Sequence, residues 1–295
     1  MKVLILGAKG TLGSQIEKVF SVDNQVFAWD FNDIDITDKK NLGDKINKIK
    51  PEIIINTAAY NAVDKCEEDA REFELAKKIN GKAVGYLADV ALKNNSLFAH
   101  YSSDYVFGGH TPAVVLEAKK NGGFSENFEP CPGNNYAITK LMGEWEILRR
   151  KNKNLKYYII RLSWLFGPNG TSKNSKPSFF DLMIDLSKKQ EELKVVDDEV
   201  SSFTYAPDLA LATQNLILSK KKFGIYHITN SGQASWFEAM QVLFDMFKSD
   251  TRVRPVSGSV FPRPAKRPQY SALKNTKLKP LRNYEEALKE YLKIK

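Results

Sequence analysis

A glycine-rich turn near the amino terminus constrains the fold more than any other feature of the sequence. Gly7, Gly10 and Gly13 follow a short apolar run at residues 3–6 and open an amphipathic pattern at residues 12–20. A strand that passes through such a turn into a helix lets the backbone approach a pyrophosphate closely and points free N–H groups at it. The order of these features predicts the first unit of a dinucleotide-binding α/β fold.

Strand-length apolar runs continue to alternate with helical patterns through the first half of the chain. The further runs lie at residues 25–29, 53–55, 97–101 and 157–162, and the helical patterns between them lie at residues 41–49, 66–93 and 136–150. Short runs rich in Ile and Val that are separated by helices are typical of strands buried on both faces. The pattern predicts an α/β fold with a doubly wound parallel Rossmann sheet.

The second half of the chain predicts additional structure outside this sheet. After a turn at residues 167–170, the pattern gives a helix at residues 179–189 and a strand at residues 193–196. The Pro-rich stretch at residues 255–268 is predicted to be irregular, because proline removes a backbone donor and restricts its neighbours. These segments predict a smaller C-terminal lobe.

Two later elements are expected to return to the main sheet, a helix at residues 208–218 and a strand at residues 224–229. Their return makes the C-terminal lobe discontinuous in sequence. We therefore predict an NAD(P)-binding Rossmann domain at residues 1–165 and 205–230, and a substrate-binding lobe at residues 166–204 and 231–295.

Composition argues against nucleic-acid and membrane proteins. The 44 Lys and Arg against 35 Asp and Glu give a net charge of +9, but the basic residues are scattered and their densest runs carry no interleaved aromatics. A solvated basic surface is therefore predicted, with no nucleic-acid partner. No apolar run approaches the roughly 20 residues that a membrane helix needs, so no membrane association is expected.

Cys66 and Cys131 are the only cysteines, and neither belongs to a C-x-x-C motif. Two cysteines are too few for a disulfide framework or a zinc site, and no histidine spacing suggests a metal ligand. We expect no bound metal and a reducing, cytoplasmic location.

The residue that follows the second strand bears on the choice of cofactor. Asp30 lies 17 residues after Gly13, where a carboxylate accepts hydrogen bonds from a ribose 2′-hydroxyl and repels a 2′-phosphate. That preference favours NADH, yet the positive charge of Lys9 lies close enough to soften the repulsion. The sequence therefore predicts a nicotinamide dinucleotide and leaves NADH and NADPH both open.

Further cofactor contacts are expected where strands end, because ligands bind outside the carboxyl ends of strands in open α/β sheets. Asp35 and Ile36, predicted at the end of a third short strand, would place a carboxylate and an apolar wall near an adenine ring. For Asp35 a solvated loop acid is an equally favoured interpretation. The predicted cofactor-binding residues are Gly7, Lys9, Gly10, Thr11, Leu12, Gly13, Asp30, Asp35, Ile36, Asn56, Ala58, Ala59, Tyr60, Ser102, Tyr136 and Lys140.

A tyrosine and a lysine four residues apart predict acid chemistry. Tyr136 and Lys140 lie on the same face of a predicted helix, where the ammonium would lower the pKa of the phenol towards working pH. A phenol so tuned suits a general acid for a developing alkoxide.

The Y-x-x-x-K spacing occurs three times, and the two pairs that begin at Tyr270 and Tyr291 are predicted to be structural. Tyr136 differs because it follows a strand with hydroxyls at its carboxyl end. One of them belongs to Ser103, which can stabilise negative charge on a reacting carbonyl.

Together, these motifs resemble the extended short-chain dehydrogenase/reductases, and within that group the dTDP-4-dehydrorhamnose reductase family. Residues 56–64 (NTAAYNAVD) resemble the N-x-A-A-x-T-x-V-D block of the family, residues 102–107 (SSDYVF) its S-T-D-Y-V-F, and residues 136–144 (YAITKLMGE) its Y-G-x-x-K-x-x-G-E. Residues 161–164 (RLSW) and 263–273 (RPAKRPQYSAL) are similar to its R-x-S-W and P-A-x-R-P-x-x-S-x-L. The likeness covers nearly the whole chain.

The resemblance implies an enzyme that reduces the C4 keto group of dTDP-4-dehydro-L-rhamnose with NADPH or NADH, so that its partner is a dTDP-sugar. Its catalytic residues would be Ser103, where the family more often has Thr, with Tyr136 as the acid and Lys140 holding the ribose. The resemblance implies a substrate pocket formed by Ser103, Asp104, Tyr105, Trp164, Trp236 and Arg267.

Two departures from the family pattern leave alternatives open. The D-Q-x-G-x-P-T segment of the family appears as DEVSSFT at residues 198–204, which leaves open a related sugar-nucleotide reductase or epimerase. Residues 108–123 are longer than expected. The methionine adenosyltransferase beta subunit has a similar S-S-D-Y-V-F segment, so a non-catalytic regulatory subunit is the alternative from another class. A homodimer also stays open, since no feature selects a surface.

Overall fold

A computed structural model describes residues 1–172 and 175–293 of the chain. Its strands, in chain order, are β1 (Lys2–Leu6), β2 (Gln25–Trp29), β3 (Ile53–Asn56), β4 (Leu97–Ser103), β5 (Lys156–Leu162), β6 (Leu165–Phe166), β7 (Glu192–Val196), β8 (Val200–Ser201), β9 (Thr204–Tyr205), β10 (Gly224–His227), β11 (Ala234–Ser235) and β12 (Arg252–Val256).

The helices alternate with the strands of the first half as the sequence predicts. They are α1 (Thr11–Phe20), α2 (Lys39–Ile49), α3 (Lys65–Glu68), α4 (Ala70–Ala76), α5 (Ala83–Asn94), α6 (Pro112–Lys120), α7 (Asn135–Leu148), α8 (Phe179–Ser187), α9 (Ala206–Leu218), α10 (Trp236–Phe247) and α11 (Tyr284–Lys293). Within the described part of the chain, none of them is both long and apolar enough to span a membrane.

Six strands form one parallel sheet in the order β10-β5-β4-β3-β1-β2. The chain runs from β1 to β2 on one side and returns to β3 on the other, so a crevice opens at the carboxyl ends of β1 and β3. Helices α1 and α9 cover one face, and helices α2, α5 and α7 cover the other. The predicted doubly wound Rossmann sheet is confirmed.

The remaining elements surround a separate apolar cluster. Helices α8, α10 and α11 and the short strands β6, β7 and β9 bury aromatic side chains there, among them Phe166, Phe180, Phe203 and Tyr205. Both α9 and β10 return to the main sheet, as the sequence indicates. The clusters agree with two structural portions, although Leu273 and its neighbours pack back against residues near Phe107. The domain boundaries themselves stay a prediction.

Three predicted elements differ in the structure. The predicted helix at residues 66–93 is interrupted at Asp69, which caps α4, and by a π-helical turn at Lys77–Lys82. Residues 35–36 lie in a loop and not in a strand, because Asp35 closes a side-chain turn onto the N–H and hydroxyl of Thr37. Pro255 lies in β12, which pairs only with β7, and an edge strand tolerates a missing donor.

The segment at residues 108–123, which is longer than the family pattern predicts, contains α6. Val114 and Val115 of this helix pack onto an apolar cluster that contains Phe107 and Phe124, and the ring of His110 stacks on both phenylalanines. The extra residues therefore extend the core beneath the segment that follows β4.

An ion pair buried in the core joins α7 to the sheet. Arg161 in β5 donates from Nε and Nη2 to the two carboxylate oxygens of Glu144, at 2.9 and 2.6 Å, and both side chains are 1% exposed. The guanidinium also lies 5.0 Å from the ring centre of Phe107. A bidentate pair of this kind fixes the rotation of α7 about its axis as well as its distance from the sheet.

We predict that Arg161→Met lowers the free energy of unfolding by about 3–5 kcal/mol, because it leaves the Glu144 carboxylate buried without a counter-charge. Arg149→Met is the matched control and should cost at most about 1 kcal/mol, because the Arg149 side chain is 65% exposed and its partner Glu146 keeps Arg150 as a second counter-charge. Urea unfolding measures both variants, and equal losses would contradict the assignment.

Candidate functional site

The glycine-rich turn has the geometry that a dinucleotide requires. Gly7 has a φ of +76°, and a Cβ there would lie 2.7 Å from the backbone nitrogen of Ala58. A Cβ at Gly13 would overlap the carbonyl oxygen of Gly7. Helix α1 can therefore pack against the turn only if residue 13 has no side chain. Helix α1 carries no side-chain cap and no acid in its first turn. Among the residues that the structure describes, no side chain therefore occupies its first N–H groups, which leaves them for an anion.

Asp30 closes this turn from the second strand. Its carboxylate accepts the N–H of Lys9 at 2.9 Å and the N–H of Phe31 at 2.7 Å, while the carbonyl of Trp29 accepts from Gly7 and Ala8. The carboxylate thus lies at the edge of the turn, beside the exposed side chain of Lys9. This placement fits the predicted ribose contact and brings the two residues that bear on cofactor choice together.

The other predicted cofactor residues divide into two groups. Asp35 is exposed and Ile36 is buried beneath α2, and both lie in a loop and not at a strand end. Their contact with an adenine ring stays a prediction. Asn56 is 1% exposed and directs its side chain to the N–H of Ala58 and the ring of His100. Ala58, Ala59 and Tyr60 stay partly exposed at the end of β3, where small residues border the crevice.

A segment that the sequence predictions did not include also contacts the glycine-rich turn. The N–H of Ser172 donates to the carbonyl of Lys9 at 2.9 Å, and the hydroxyls of Thr11 and Ser175 lie 3.3 Å apart. A Cβ at Gly170 would lie 2.7 Å from the backbone nitrogen of Thr11. The turn at residues 167–170 was the available signal, since a second glycine there permits close backbone approach.

Helix α7 brings the predicted acid Tyr136 and its partner Lys140 to the carboxyl end of β4. Asn134 caps it by accepting the N–H of Ala137 at 2.8 Å. One turn further on, the Nζ of Lys140 donates to the carbonyl of Tyr101 at 2.7 Å. Burial lowers the pKa of Lys140 to about 8, against the opposing effect of Glu144. An ammonium has three donors, and only one hydrogen bond is recorded within the described part of the chain, so it can still hold ribose hydroxyls.

The environment of Tyr136 differs from the expectation. Burial raises the pKa of the phenol, the neighbouring Tyr105 and Asp104 add to the rise, and a hydrogen bond with Ser103 opposes it. The Lys140 ammonium is bonded to the backbone carbonyl of Tyr101 and not to the phenol. The predicted lowering is therefore wrong for the protein alone, and the phenol stays protonated at neutral pH.

One contact of the phenol was missed from sequence. The Tyr136 hydroxyl lies 3.5 Å from Oδ1 of Asn61, a long hydrogen bond, and its ring meets that of Tyr105 edge to face at 5.6 Å. Asn61 stands where the family block has Thr, and that departure was the available signal.

Ser103 and Asp104 form the start of a buried polar network. The Ser103 hydroxyl donates to Oδ1 of Asp104 at 2.9 Å and accepts the N–H of Tyr105 at 3.2 Å. Asp104 is 2% exposed, and its other oxygen accepts from Ser201 and Ser271. A direct substrate contact by Asp104 therefore stays a prediction, because both of its oxygens already accept hydroxyl groups.

Ser102 supports a bound group at this position. Its Oγ is buried and has no hydrogen-bond partner among the residues that the structure describes. A buried hydroxyl without a partner costs free energy unless a ligand or water satisfies it. Together with the spare donors of Lys140, this hydroxyl fits the nicotinamide end of a dinucleotide.

Basic groups gather on the other side of Tyr105. Arg267 donates to Asp64 at 2.7 Å and to the carbonyl of Ala265, and Arg263 pairs with Glu199. Both guanidinium groups lower the pKa of Tyr105, whereas burial, the leading cause, raises it. Arg267 lies where a substrate diphosphate is predicted, with part of its donor fork already engaged by Asp64.

The two predicted substrate tryptophans contact each other directly. Trp164 and Trp236 stack with ring centres 3.6 Å apart, and Phe203 meets both edge to face. Phe179 lies 4.3 Å from Trp236. Trp164 has a φ of +33°, a strained conformation for a bulky residue. The pair thus forms an aromatic wall in which one face of each tryptophan ring is covered by the other ring.

A buried asparagine that holds α7 in place was also missed from sequence. Asn80 in the π-helical turn exchanges hydrogen bonds with the backbone of Tyr60 and donates to the hydroxyl of Thr139 at 3.0 Å. The Asn-Gly pair inside an otherwise helical pattern was the available signal.

The other Y-x-x-x-K tyrosines occupy structural positions. The hydroxyl of Tyr270 donates to Gln233 at 2.7 Å, and that of Tyr291 donates to Asp181 at 2.7 Å within the second apolar cluster. Lys295, the partner expected for Tyr291, lies outside the described residues.

Comparisons with known proteins agree with the motifs. A family model for the RmlD substrate binding domain matches residues 1–295. The dTDP-4-dehydrorhamnose reductase of Burkholderia thailandensis is 32% identical over 295 residues, covering 95% of this chain and 92% of the relative. That of Aggregatibacter actinomycetemcomitans is 34% identical over 291 residues, covering 94% and 92%.

Solved structures extend the likeness to three dimensions. A dTDP-4-dehydrorhamnose reductase from Clostridium acetobutylicum superposes with a TM-score of 0.87 at 37% identity, covering 100% of this chain and 99% of that chain. The reductase from Bacillus anthracis, in complex with NADP, gives 0.88 at 32% identity with the same coverage. Because the match spans the whole sequence, the chain belongs to the RmlD substrate-binding family, in which these reductases are its relatives.

Proposed function

We propose that the chain reduces the C4 keto group of dTDP-4-dehydro-L-rhamnose to give dTDP-L-rhamnose, with NADPH or NADH as the hydride source. The observation that carries the proposal is the meeting of Tyr136, Ser103 and Lys140 at the carboxyl end of β4. Curated relatives with more than 30% identity carry this activity in their names. Cys66 and Cys131 are both free thiols, which supports a cytoplasmic location.

The cofactor would lie along the switch point of the sheet. Gly7, Gly10 and Gly13 would hold its pyrophosphate on the N-terminus of α1, Asp30 its adenine ribose, and Lys140 its nicotinamide ribose. When bound, the reduced nicotinamide supplies a hydride to the substrate carbon. The Bacillus anthracis relative was solved in complex with NADP, which supports NADPH as the cofactor, whereas Asp30 favours NADH.

The residues of the chain supply the proton and stabilise the charge. Tyr136 would donate its phenolic proton to the C4 oxygen, and its raised pKa keeps that proton in place at neutral pH. The phenolate left behind would be stabilised by the Ser103 hydroxyl, whose proton points to Asp104 in the free protein and would turn to the phenolate oxygen. Arg267 would hold the diphosphate with the N–H groups that Asp64 leaves free.

The proposal is tested by following oxidation of NADPH and NADH in parallel, with the keto sugar generated in place by the preceding dehydratase and epimerase. We expect turnover that requires both upstream enzymes and a product identified as dTDP-L-rhamnose. Cofactor binding without turnover would contradict the proposal and would favour the regulatory-subunit alternative.

Tyr136→Phe should lower kcat by about 10²–10⁴-fold, because it removes the general acid. The Kd for the cofactor should change little, because the dinucleotide contacts remain. Tyr270→Phe is the matched control, since it deletes a buried phenol from the same Y-x-x-x-K spacing and should keep most of the activity. Turnover by Tyr136→Phe at the wild-type rate would exclude Tyr136 as the acid.

Binding of the cofactor should weaken as the pH rises above about 8. Burial lowers the pKa of Lys140 to about 8, so the free protein loses the ammonium there, whereas ribose oxygens bind the charged form. We expect the Kd to rise by up to about tenfold per pH unit above that value. The slope should vanish in Lys140→Met and persist in Lys18→Met, an exposed lysine of α1. Fluorescence titration between pH 7 and pH 9.5 measures it.

A second candidate is a 4-ketoreductase that acts on another deoxysugar nucleotide. A relative from Streptomyces antibioticus, 31% identical over 300 residues, is named a probable dTDP-4,6-dihydroxy-2-methyloxan-3-one 4-ketoreductase. Phe203, which stands where the family has Pro, packs against both Trp164 and Trp236 and so alters the aromatic wall. Turnover of that ketone in preference to the rhamnose precursor would favour this candidate.

A further inference from the structure

Ser201 lies where the D-Q-x-G-x-P-T segment of the family has Gly, and this chain therefore carries an additional hydroxyl. The side chain is fully buried in β8. Its Oγ lies 3.1 Å from Oδ2 of Asp104, 2.6 Å from the hydroxyl of Ser163 and 3.0 Å from the hydroxyl of Ser271. Three separate segments of the chain thus meet at this one group.

Asp104 is held entirely by hydroxyl groups. Oδ1 accepts from Ser103 at 2.9 Å, and Oδ2 accepts from Ser271 at 2.5 Å as well as from Ser201. Within the described part of the chain, no Lys or Arg pairs with this buried carboxylate. Its charge and its orientation therefore depend on the number of hydroxyl donors around it.

The arrangement controls the only proton of Ser103. A serine hydroxyl has one hydrogen to donate, and here it points to Asp104 while the oxygen accepts the N–H of Tyr105. The same oxygen lies beside the phenol of Tyr136. A change in the position or protonation of Asp104 would redirect the Ser103 proton at the atom that assists the acid.

We propose that Ser201 is a positioning residue, whose hydroxyl holds Asp104 as an oriented carboxylate and, through Asp104, fixes Ser103 beside Tyr136. The proposal rests on the reductase function proposed above. It assigns a role to a residue that the family pattern does not contain, and it links the altered segment at residues 198–204 to the catalytic hydroxyls.

The electrostatics of the site agree with this role. Burial raises the pKa of Asp104, and the hydroxyls of Ser271, Ser103, Ser163 and Ser201 lower it. The titratable groups that face the carboxyl are Tyr136 from α7 and Tyr105 from the segment after β4. Charges further out, which act on Tyr105, belong to Glu199, Arg263 and Arg267. Loss of the Ser201 donor should raise the pKa of Asp104 further.

Stability gives a test that does not depend on turnover. Because the folded protein raises the pKa of Asp104, its stability falls as the pH rises from the ordinary carboxyl range through the folded-state value. Ser201→Ala should therefore lose more stability relative to wild type at pH 8 than at pH 5. In an Asp104→Asn background the loss should be the same at both pH values.

Ser202→Ala is the matched control for this comparison. Ser202 is the next residue, is 2% exposed, and accepts the N–H of Leu273 without contacting Asp104. Its loss of stability should not depend on pH. A loss in Ser201→Ala that is independent of pH, as in the control, would overturn the proposal.

Kinetics test the connection to Ser103. Ser201→Ala and Ser271→Ala should each lower kcat by about tenfold and shift its pH profile to higher pH by about one unit, the size expected for one hydrogen bond to a charged group. The KM and the Kd for the cofactor should stay within about twofold of wild type. An unshifted profile in Ser201→Ala would overturn the proposal.

The two proposals can fail separately. A wild-type chain that reduces no sugar nucleotide would contradict the proposed function, and the stability measurements would still support or overturn the link between Ser201 and Asp104. An active wild type with an unshifted Ser201→Ala profile would leave the function standing and remove the positioning role.

Discussion

The site depends on the close contact between α7 and the sheet. Gly143 lets α7 pack this closely, because a Cβ there would overlap the carbonyl oxygen of Asn80 in the π-helical turn and would lie 3.3 Å from Nε2 of His100 in β4. The helix is then held along its length by an N-terminal cap, a side-chain bond to the π-helical turn, a bond to the end of β4 and a buried ion pair, through Asn134, Thr139, Lys140 and Glu144. All four residues belong to α7 or cap it, and α7 also carries Tyr136. The position of the phenol is therefore fixed by groups that stabilise the fold.

Burial at this contact shifts both central titrations towards the neutral forms. It raises the pKa of Tyr136 and lowers that of Lys140 to about 8; the hydrogen bond with Ser103 partly offsets the first shift, and the charge of Glu144 partly offsets the second. A dry site therefore keeps the proton on the phenol until charge develops nearby, which suits an acid. It also means that the phenolate depends on close partners such as the Ser103 hydroxyl. The Ser103 orientation consequently matters more here than it would in water.

Local patterns predict what local physics determines. The strand-turn-helix at Gly7, the doubly wound parallel sheet and the placement of Tyr136 follow from short motifs, because glycine conformation and helical spacing act over a few residues. Contacts between distant segments could not be read in this way. Asp64 engages Arg267 across about 200 residues of sequence, and four serines from separate segments surround Asp104. Arg267 and Asp104 were both predicted to face the substrate. No spacing rule shows that the polar atoms of these two side chains already have protein partners.

The altered segment at residues 198–204 shows how a local departure acts on both sides of the site. Ser201 points inwards and adds a donor to the Asp104 network, while Phe203, two residues on, enters the aromatic cluster with Trp164. Ser201 and Phe203 are only two residues apart, so a backbone shift at one of them would also move the other. The loss of the family Gly and Pro therefore couples the hydroxyls near the reacting oxygen to the wall that would receive the sugar nucleotide. In this chain, substrate choice and the orientation of the catalytic hydroxyls are expected to vary together, because residues 198–204 carry both Ser201 and Phe203.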